Sequence, residues 1–352
     1  MFDLFGMLAS SLFGFRRTLK EKDFKKILVM RIDAIGDLIM TRPALSALRQ
    51  KFPHAQIDLL VSNETVPLLE DGREARNVYG MASHWFKSNM KCGEICTEKK
   101  RLKKLLKAEN YDLAIDFRGD LRNIFFLKSA GIHDILGYGI TGGEFLLSGY
   151  ERYDWNAHQV LVNLQLLRRI GIQTLPQIYP LTYSAVRKER FWKTSGQKLN
   201  PKTKFRMTVH SGAGLASKCW PQSSFHEVIN KALALEDVEI VLIGTTAEKD
   251  LFHVSSAEAR IVDLRGTTDL SDLPILFDAC NLHVGNDSGP AHIAAAQGIP
   301  VISLFSGTNA PEVWKPWGSR DLTVFKFHDP DDIKPQQVFE KIERIYRSYH
   351  AG

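Results

Sequence analysis

Short runs of apolar residues alternate along the chain with longer segments in which apolar side chains return every three or four positions. In the first half, the runs are residues 27–30, 57–61 and 113–117. In the second half they lie near Met207, Ile240, Val262, Leu282 and Ile302. Apolar runs of this length between helical segments are typical of parallel strands that are buried on both faces. The pattern therefore predicts an α/β fold with two parallel sheets, each covered by helices.

The domain organisation follows from the length and from one break in the pattern. A chain of 352 residues can form two domains that each bury a core. We expect one Rossmann-like domain at residues 23–173 and a second at residues 183–330, joined by a linker at 174–182 that contains Pro176 and Pro180. Residues 331–352 contain a predicted terminal helix at 336–349, and residues 1–22 form a separate N-terminal extension.

Residues 282–297 predict a strand, a glycine-bearing turn and the start of a helix. The free N–H groups at a helix start attract anions such as phosphate, and Gly285 and Gly289 let the backbone approach a ligand closely. Asp287 and Ser288 could cap the helix or bind a ribose hydroxyl. An ordinary βα turn with an N-cap has the same pattern, so this motif alone leaves both interpretations open.

A second glycine-bearing turn, at residues 210–221, follows a predicted strand at 205–209. Two such turns from separate βα units could contact one ligand. Gly212 and Gly214 also match half of the dinucleotide fingerprint, which would indicate an NAD-dependent oxidoreductase. Two features argue against that class: Pro221 marks a helix start several residues after the glycines, and the strand at 238–243 ends in Gly244 instead of an acidic residue.

A third strand–turn–helix unit begins at residues 26–31 and leads to Asp37. The carboxylate of Asp37 follows the carboxyl end of a strand, where open α/β sheets bind their ligands. It could contact a ligand there, or it could serve only as a helix N-cap.

Four ordered motifs together resemble glycosyltransferase family 9, the bacterial lipopolysaccharide heptosyltransferases. The motifs are RIDAIGD at 31–37 with RPAL at 42–45, YDLAIDFRG at 111–119, HSGA at 210–213 with KCWP at 218–221, and NDSGPAH at 286–292. The resemblance extends from about residue 25 to the carboxyl terminus. It implies the GT-B architecture, in which two Rossmann-like α/β/α domains face each other across a cleft and the terminal helix crosses back to the first domain.

The resemblance also implies an activity. The protein is expected to be an inverting, metal-independent glycosyltransferase without a cofactor, which transfers heptose from ADP-L-glycero-D-manno-heptose to a lipopolysaccharide core or a related surface glycan. Another nucleotide-sugar donor is an alternative. A non-catalytic glycan- or nucleotide-binding protein with the same fold is another, but a binding module needs no catalytic base such as Asp37.

The family's functional positions can be transferred one by one. Asp37 matches the proposed catalytic base, and Lys218 matches the lysine that contacts the donor diphosphate. The remaining positions that the resemblance assigns to donor binding are Ser211, Gly212, Glu248, Asp287, Ser288, Gly289 and His292. Glu248 falls near a glutamate that holds the nucleotide ribose. Arg118 and Arg122 lie in the half where the family binds its phosphorylated acceptor.

The charge balance indicates an anionic partner. The formal net charge is +6 and the isoelectric point is about 9.0. An anionic glycolipid at a membrane surface or a nucleic acid would satisfy this charge, and no nucleic-acid-binding motif occurs, so we expect the glycolipid. Further basic residues of the first half are Arg73, Arg76, Lys87 and Lys91. The basic run at 99–107 predicts an amphipathic helix that faces water, with membrane contact as the alternative.

The N-terminal extension combines an apolar stretch, residues 1–15, with a basic tail that begins at Arg16. A secretory signal has its charges before the apolar stretch, and a membrane span is longer. The order favours an interfacial anchor, and a helix packed on the first domain is the alternative. We therefore expect a cytoplasmic protein peripheral to the cytoplasmic face of the inner membrane.

Cysteines and acidic residues give little sign of a metal or a disulfide. The four cysteines, Cys92, Cys96, Cys219 and Cys280, are scattered, which suits a reducing cytoplasm. One DxD-like triplet, Asp329 to Asp331, could bind a divalent cation, but its composition is also that of a polar loop. We expect no metal site and predict activity in the presence of a chelator.

Overall fold

The structure, a computed structural model, describes residue 19 and residues 23–69, 74–82, 92–177, 179–249, 259–329 and 332–351. The chain divides into two compact units, Met1–Gln177 and Ile178–Gly352. This division falls inside the segment 174–182 that the sequence suggests as a linker. The N-terminal extension other than Leu19 lies outside the described residues, as do Arg73, Lys87, Lys91, Asp331 and the side chain of Cys92.

The first unit contains a parallel sheet covered by helices. Its strands are β1 (Lys26–Arg31), β2 (Gln56–Ser62), β3 (Val78–Met81), β4 (Leu113–Asp116), β5 (Ile135–Gly137) and β6 (Gly149–Tyr150). Its helices are α1 (Ile35–Lys51), α2 (Cys92–Glu109), α3 (Leu121–Ser129) and α4 (Gln159–Leu167). The strand order is β3-β2-β1-β4-β5-β6, and neighbouring strands are parallel.

The central position of β1 explains its sequence. Residues Ile27, Leu28, Val29 and Met30 are all at most 1% exposed. A strand with helices on both faces of its sheet has no solvent side, so consecutive residues are apolar instead of alternating. The basic run at 99–107 lies in α2, where Leu102 and Leu106 are buried and most of the lysines are exposed. The predicted amphipathic helix is thus confirmed.

The second unit repeats this architecture. Its strands are β7 (Phe205–His210), β8 (Val238–Leu242), β9 (Ile261–Asp263), β10 (Leu282–Asn286), β11 (Val301–Ser306) and β12 (Leu322–Phe327). Its helices are α5 (Ala185–Lys193), α6 (Gln222–Leu233), α7 (Leu273–Asp278), α8 (Gly289–Ala296), α9 (Pro311–Trp314) and α10 (Pro335–Ala351). The order β9-β8-β7-β10-β11-β12 is again parallel throughout.

Counted from the first strand of each unit, both sheets have the Rossmann order 3-2-1-4-5-6. The chain leaves the first strand toward one edge of the sheet and returns to the fourth strand on its other side. This leaves a crevice between β1 and β4 in the first unit and between β7 and β10 in the second, at the carboxyl ends of the strands. The predicted fold, two Rossmann-like units with parallel sheets, is therefore confirmed.

The terminal helix α10 belongs to the core of the second unit. Its residues Val338, Ile342 and Ile345 are buried in the same cluster as Phe205 and Trp220, and the helix packs against α6. The crossing of this helix to the first unit stays a prediction. Among the described helices, none combines the length and the apolar character required to span a bilayer.

Candidate functional site

A buried arginine lies at the crevice of the first unit. Arg31 is the last residue of β1 and is 4% exposed. Its Nη1 donates to the carbonyl of Phe117 across 2.5 Å, and its Nη2 donates to Oδ1 of Asp37 across 2.7 Å. Its Nε also forms an ion pair with Oδ2 of Asp33 at 3.0 Å. Arg31 thus joins the end of β1, the loop after β4 and the start of α1.

Asp37 is the third residue of α1, where the free N–H groups of a helix favour a carboxylate. Its side chain is 17% exposed. Arg31 bonds only Oδ1, so Oδ2 accepts no side-chain hydrogen bond from the residues that the structure describes. The alternative role as an N-cap does not hold, because Ala34 occupies the cap position.

Arg118 completes what we call the acid–arginine cluster, which comprises Arg31, Asp33, Asp37 and Arg118. Its Nη1 forms an ion pair with Oδ1 of Asp33, so Asp33 lies between two guanidinium groups. The Arg118 side chain is 28% exposed, and burial lowers its pKa from the ordinary value. Two arginines and two acids thus meet where β1 and β4 diverge.

Asp116, at the end of β4, fixes the turn that carries Arg118. Its carboxylate accepts hydrogen bonds from the backbone N–H groups of Arg118 and Gly119, both at 3.1 Å. Gly119 has φ of 75°, and a Cβ there would lie 2.5 Å from the carbonyl oxygen of Tyr138, so the turn requires glycine. Complete burial of Asp116 raises the pKa of its carboxyl to about 6.

Arg122 pairs with Asp120, which is not a member of this cluster. Its guanidinium and its backbone N–H bond the carboxylate of Asp120, the N-cap of α3, and its side chain is 61% exposed. Arg76, another basic residue of this half, instead pairs with Asp58 and Glu109. Of Arg76, Arg118 and Arg122, which the structure describes, Arg118 thus belongs to the acid–arginine cluster.

The second unit gathers polar side chains where β7 and β10 diverge. His210 is the last residue of β7, and its Nδ1 lies 2.9 Å from Oγ of Ser288. Its Nε2 lies 3.4 Å from Oε1 of Glu248. We call His210, Lys218, Glu248, Asp287 and Ser288 the β7–β10 cluster.

Lys218 is held in place by an acidic partner from the other turn. Its Nζ donates to Oδ2 of Asp287 across 2.9 Å, and Nδ2 of Asn309 donates to the same oxygen across 2.6 Å. The Lys218 side chain is 20% exposed. The ammonium group is thus positioned by the protein and also accessible to an anion.

Asn286 ties the two glycine-bearing turns together. Its Nδ2 donates to the carbonyl of Ser211 at 2.8 Å and to that of Gly212 at 3.3 Å. Its Oδ1 accepts from the backbone N–H of Trp220 at 3.0 Å. Because Asn286 is fully buried, these bonds fix both turns with respect to β10.

Glu248 lies directly above Gly212. A Cβ on Gly212 would collide with the Glu248 carboxylate, so only glycine leaves that carboxylate its place. Its Oε2 accepts hydrogen bonds from the backbone N–H (2.5 Å) and the hydroxyl (2.9 Å) of Thr245. Burial acts to raise the pKa of Glu248, but His210 and Thr245 outweigh it and hold the pKa at about 2.

The helix start at Gly289 differs from the expected cap. Ser288 occupies the N-cap position of α8, but its side chain makes no capping hydrogen bond. Its hydroxyl instead contacts His210 and donates to the carbonyl of Asn286 at 3.2 Å. Asp287 pairs with Lys218, so neither residue caps the helix. His292 is buried on the first turn of α8.

The described residues were expected to contain no metal site. The described residues contain no group of three or more histidine, cysteine or acidic side chains arranged for a metal ion. Cys96, Cys219 and Cys280 are free thiols. Asp329 is described, whereas Asp331 lies outside the described residues.

Two Rossmann-like units, each with charged side chains at the crevice of its parallel sheet, place the protein in the class of two-unit α/β proteins. Within this class, the family model of glycosyltransferase family 9 (heptosyltransferase) matches residues 99–342. The chain belongs to this family and is a glycosyltransferase.

Individual relatives agree with the family. The chain is 30% identical over 297 residues to lipopolysaccharide heptosyltransferase 3 of Escherichia coli K12, an alignment that covers 80% of this chain and 82% of that protein. The structure of E. coli ADP-heptose LPS heptosyltransferase II matches with a TM-score of 0.76 at 24% identity, and covers 92% of this chain and 99% of that one. E. coli heptosyltransferase WaaC, solved with ADP-2-deoxy-2-fluoro heptose, matches with a TM-score of 0.71 at 19% identity, and covers 91% and 99%.

Proposed function

We propose that this glycosyltransferase transfers heptose from ADP-L-glycero-D-manno-heptose, with inversion and without a metal, to a lipopolysaccharide core or a related surface glycan. The single observation that carries the proposal is the Asp37 carboxylate, which Arg31 fixes by one oxygen while the other oxygen accepts no described side-chain bond. The names of the E. coli relatives support the heptose donor and the lipopolysaccharide acceptor.

In this proposal Asp37 is the catalytic base. The acceptor hydroxyl loses its proton as its oxygen bonds the anomeric carbon, and a carboxylate within hydrogen-bond reach can take that proton. Arg31 orients the carboxylate through the charge-assisted hydrogen bond from Nη2 to Oδ1. The bond from the anomeric carbon to the diphosphate breaks on the opposite face, so the configuration inverts.

The leaving ADP gains negative charge as this bond breaks. Lys218 and the N–H groups at the start of α8, around Ser288 and Gly289, are proposed to stabilise that charge in place of a metal ion. Asp287 keeps the lysine extended toward this position until the diphosphate binds. Preorganised donors of this kind need no rearrangement at the moment of reaction.

The remaining parts of the donor are proposed to bind at the β7–β10 cluster. We propose that Glu248 accepts hydrogen bonds from the ribose hydroxyls, because its carboxylate lies against Gly212 in the β7–β10 cluster and is held there by Thr245 and His210. Ser211, Gly212 and His292 are proposed to line the donor site, which Asn286 supports from beneath.

For the acceptor, we propose that Arg118 contacts the anionic groups of the phosphorylated glycan, because its partly exposed guanidinium lies in the cluster that contains Asp37. Arg122 is the second proposed contact, and its 61% exposed side chain can leave Asp120 for a phosphate. The proposed acceptor is a membrane glycolipid, so we propose a cytoplasmic location at the inner-membrane surface, with the N-terminal extension as the attachment. Nucleic acid is not a proposed partner.

The decisive experiment incubates the protein with a lipopolysaccharide acceptor and a panel of ADP-, UDP- and GDP-sugars, followed by mass spectrometry of the product. The expected result is a mass increase of one heptose with ADP-heptose alone. Transfer of another sugar would replace the donor in this proposal. Tight donor binding in a thermal-shift assay without any transfer would indicate the non-catalytic alternative.

A further inference from the structure

A large aromatic side chain is held open to solvent in the first unit. Trp155, in the loop between β6 and α4, is 65% exposed. Its ring packs on Tyr153 with centroids 4.6 Å apart and an interplanar angle of 56°. Tyr153 in turn meets Tyr138 edge to face, with centroids 5.0 Å apart. The exposed indole thus rests on Tyr153, which in turn rests on buried Tyr138, so that the three rings form one continuous group.

The support beneath Trp155 is rigid. The Tyr138 hydroxyl donates to the carbonyl of Val162 in α4 across 2.5 Å, and Tyr138 is fully buried. The Tyr153 hydroxyl donates to Oε1 of Gln159, the first residue of α4, across 2.8 Å. Both tyrosines are thus anchored to one helix, which fixes the position of the indole above them.

A chain of contacts connects this helix to Asp37. In α4, Nδ2 of Asn163 donates to the carbonyl of Met40 at 3.1 Å and to the hydroxyl of Thr41 at 3.3 Å. That hydroxyl donates to the backbone carbonyl of Asp37 at 2.8 Å. Burial raises the pKa of Tyr153. Through Gln159 and Asn163 of α4, the aromatic stack is thus linked by hydrogen bonds to the helix that carries Asp37.

A sugar ring fits this combination. One face of a pyranose ring presents several C–H groups, which pack on the face of an aromatic ring, while its hydroxyls point sideways toward hydrogen-bond partners. We propose that Trp155, supported by Tyr153, stacks against a pyranose ring of the acceptor and so directs a hydroxyl of that sugar toward Asp37. This inference rests on the proposed function, since it names the residue that selects and orients the acceptor glycan. Trp155 is then a specificity residue for the acceptor and has no role toward the donor.

The test compares three variants. Trp155→Ala removes the stacking surface, Trp155→Phe keeps an aromatic face, and Trp192→Ala, a 38% exposed tryptophan of α5 in the second unit, is the matched control. Transfer is measured at varied acceptor and at varied donor. The expected result for Trp155→Ala is a roughly five- to tenfold higher KM for the acceptor with an unchanged KM for the donor. Trp155→Phe restores most of the loss, and Trp192→Ala behaves as wild type.

A second measurement separates this inference from the proposed function. Calorimetric titration with a lipid-free core oligosaccharide, without donor, is expected to show weaker binding to Trp155→Ala than to wild type. If wild type transfers no heptose, the proposed function fails, and this titration still decides the role of Trp155. Equal oligosaccharide binding by both proteins overturns the inference. So does a defect of Trp155→Ala that appears only with acceptor in lipid vesicles, because it assigns the ring to the membrane. Unchanged melting temperatures exclude misfolding.

Discussion

Arg31 and Asp37, six positions apart in the sequence, are joined by a hydrogen bond of 2.7 Å between Nη2 and Oδ1. The guanidinium at the end of β1 thereby sets the direction of a carboxylate in the first turn of α1. Since the same arginine also bonds the loop after β4, a shift of either strand would move the carboxylate. Arg31 is a positioning residue for the proposed base.

Replacing Asp37 with alanine or asparagine is expected to lower kcat by roughly 10²- to 10⁴-fold, because the acceptor hydroxyl loses its proton acceptor. Donor affinity, measured by calorimetry with ADP, is expected to remain at the wild-type value, since the donor residues lie on other elements. Asp23→Ala, on an exposed residue, is the control. Normal turnover in Asp37→Asn would remove the assigned role.

Lys218→Met is expected to weaken ADP binding by roughly 10- to 100-fold, which is the range for a lost hydrogen bond to a charged group. The loss combines the missing ammonium with an Asp287 carboxylate that is no longer neutralised. Lys204→Met, on a 68% exposed lysine of the same unit, is the matched control. An unchanged dissociation constant for ADP would contradict the proposed contact with the diphosphate.

Glu248→Gln is expected to lower stability at neutral pH by roughly 1–3 kcal/mol. The folded protein holds the pKa of Glu248 at about 2, below the ordinary value of 4.5. The stabilisation is therefore complete above about pH 4.5 and disappears as the pH falls toward 2. Chemical unfolding of both proteins at several pH values checks this, and a difference that stays constant down to pH 2.5 would rule out the ionic origin.

Asp116→Asn tests a pH dependence of stability that is opposite in sign to that of Glu248. Because burial raises the pKa of Asp116 from 3.8 to about 6, the folded protein binds the extra proton between these values. The stability contributed by this group is then greatest below about pH 4 and falls as the pH rises through 6. We expect wild type to gain up to about 3 kcal/mol relative to Asp116→Asn between pH 7 and pH 4. A difference in unfolding free energy between the two proteins that does not change with pH would contradict this prediction.

Excess EDTA is expected to leave the transfer rate unchanged, because Lys218 and the start of α8 are proposed to carry the charge that a divalent cation carries in other transferases. The measurement is the initial rate after extensive dialysis against chelator, with and without added Mg²⁺ or Mn²⁺. Loss of turnover that an added cation restores would refute metal independence.

The sequence predicted the fold because strand periodicity is a local signal. Asp37 and Ser288 were identified from turns that follow apolar runs, and Lys218 from the family resemblance. The hydrogen-bond partners within the site were missed. The sequence did not indicate that Arg31 bonds Asp37, or that Asn286 bonds Ser211, Gly212 and Trp220 of the neighbouring turn. These contacts depend on the strand order, which places β4 beside β1 and β10 beside β7, and no local pattern carries that information.

The capping alternative for Asp287 and Ser288 does not hold, for a related reason. A serine before a helix usually caps it, but the hydroxyl of Ser288 finds His210 across the crevice. Such competition is visible only once the neighbouring strand is in place. One signal could have found more of the site: polar residues that end an otherwise apolar strand, as Arg31, His210 and Asn286 all do.

The lack of a side chain at Gly212 matters more for the proposed donor binding than for folding. The three atoms nearest to a methyl group there all belong to the Glu248 side chain, so the carboxylate would have to turn aside from Thr245 and His210. A single added carbon would thus displace the proposed ribose contact at a modest cost in stability. In a library of all substitutions at position 212, we expect alanine among the variants that are expressed. We expect glycine alone among the variants that are selected for nucleotide binding.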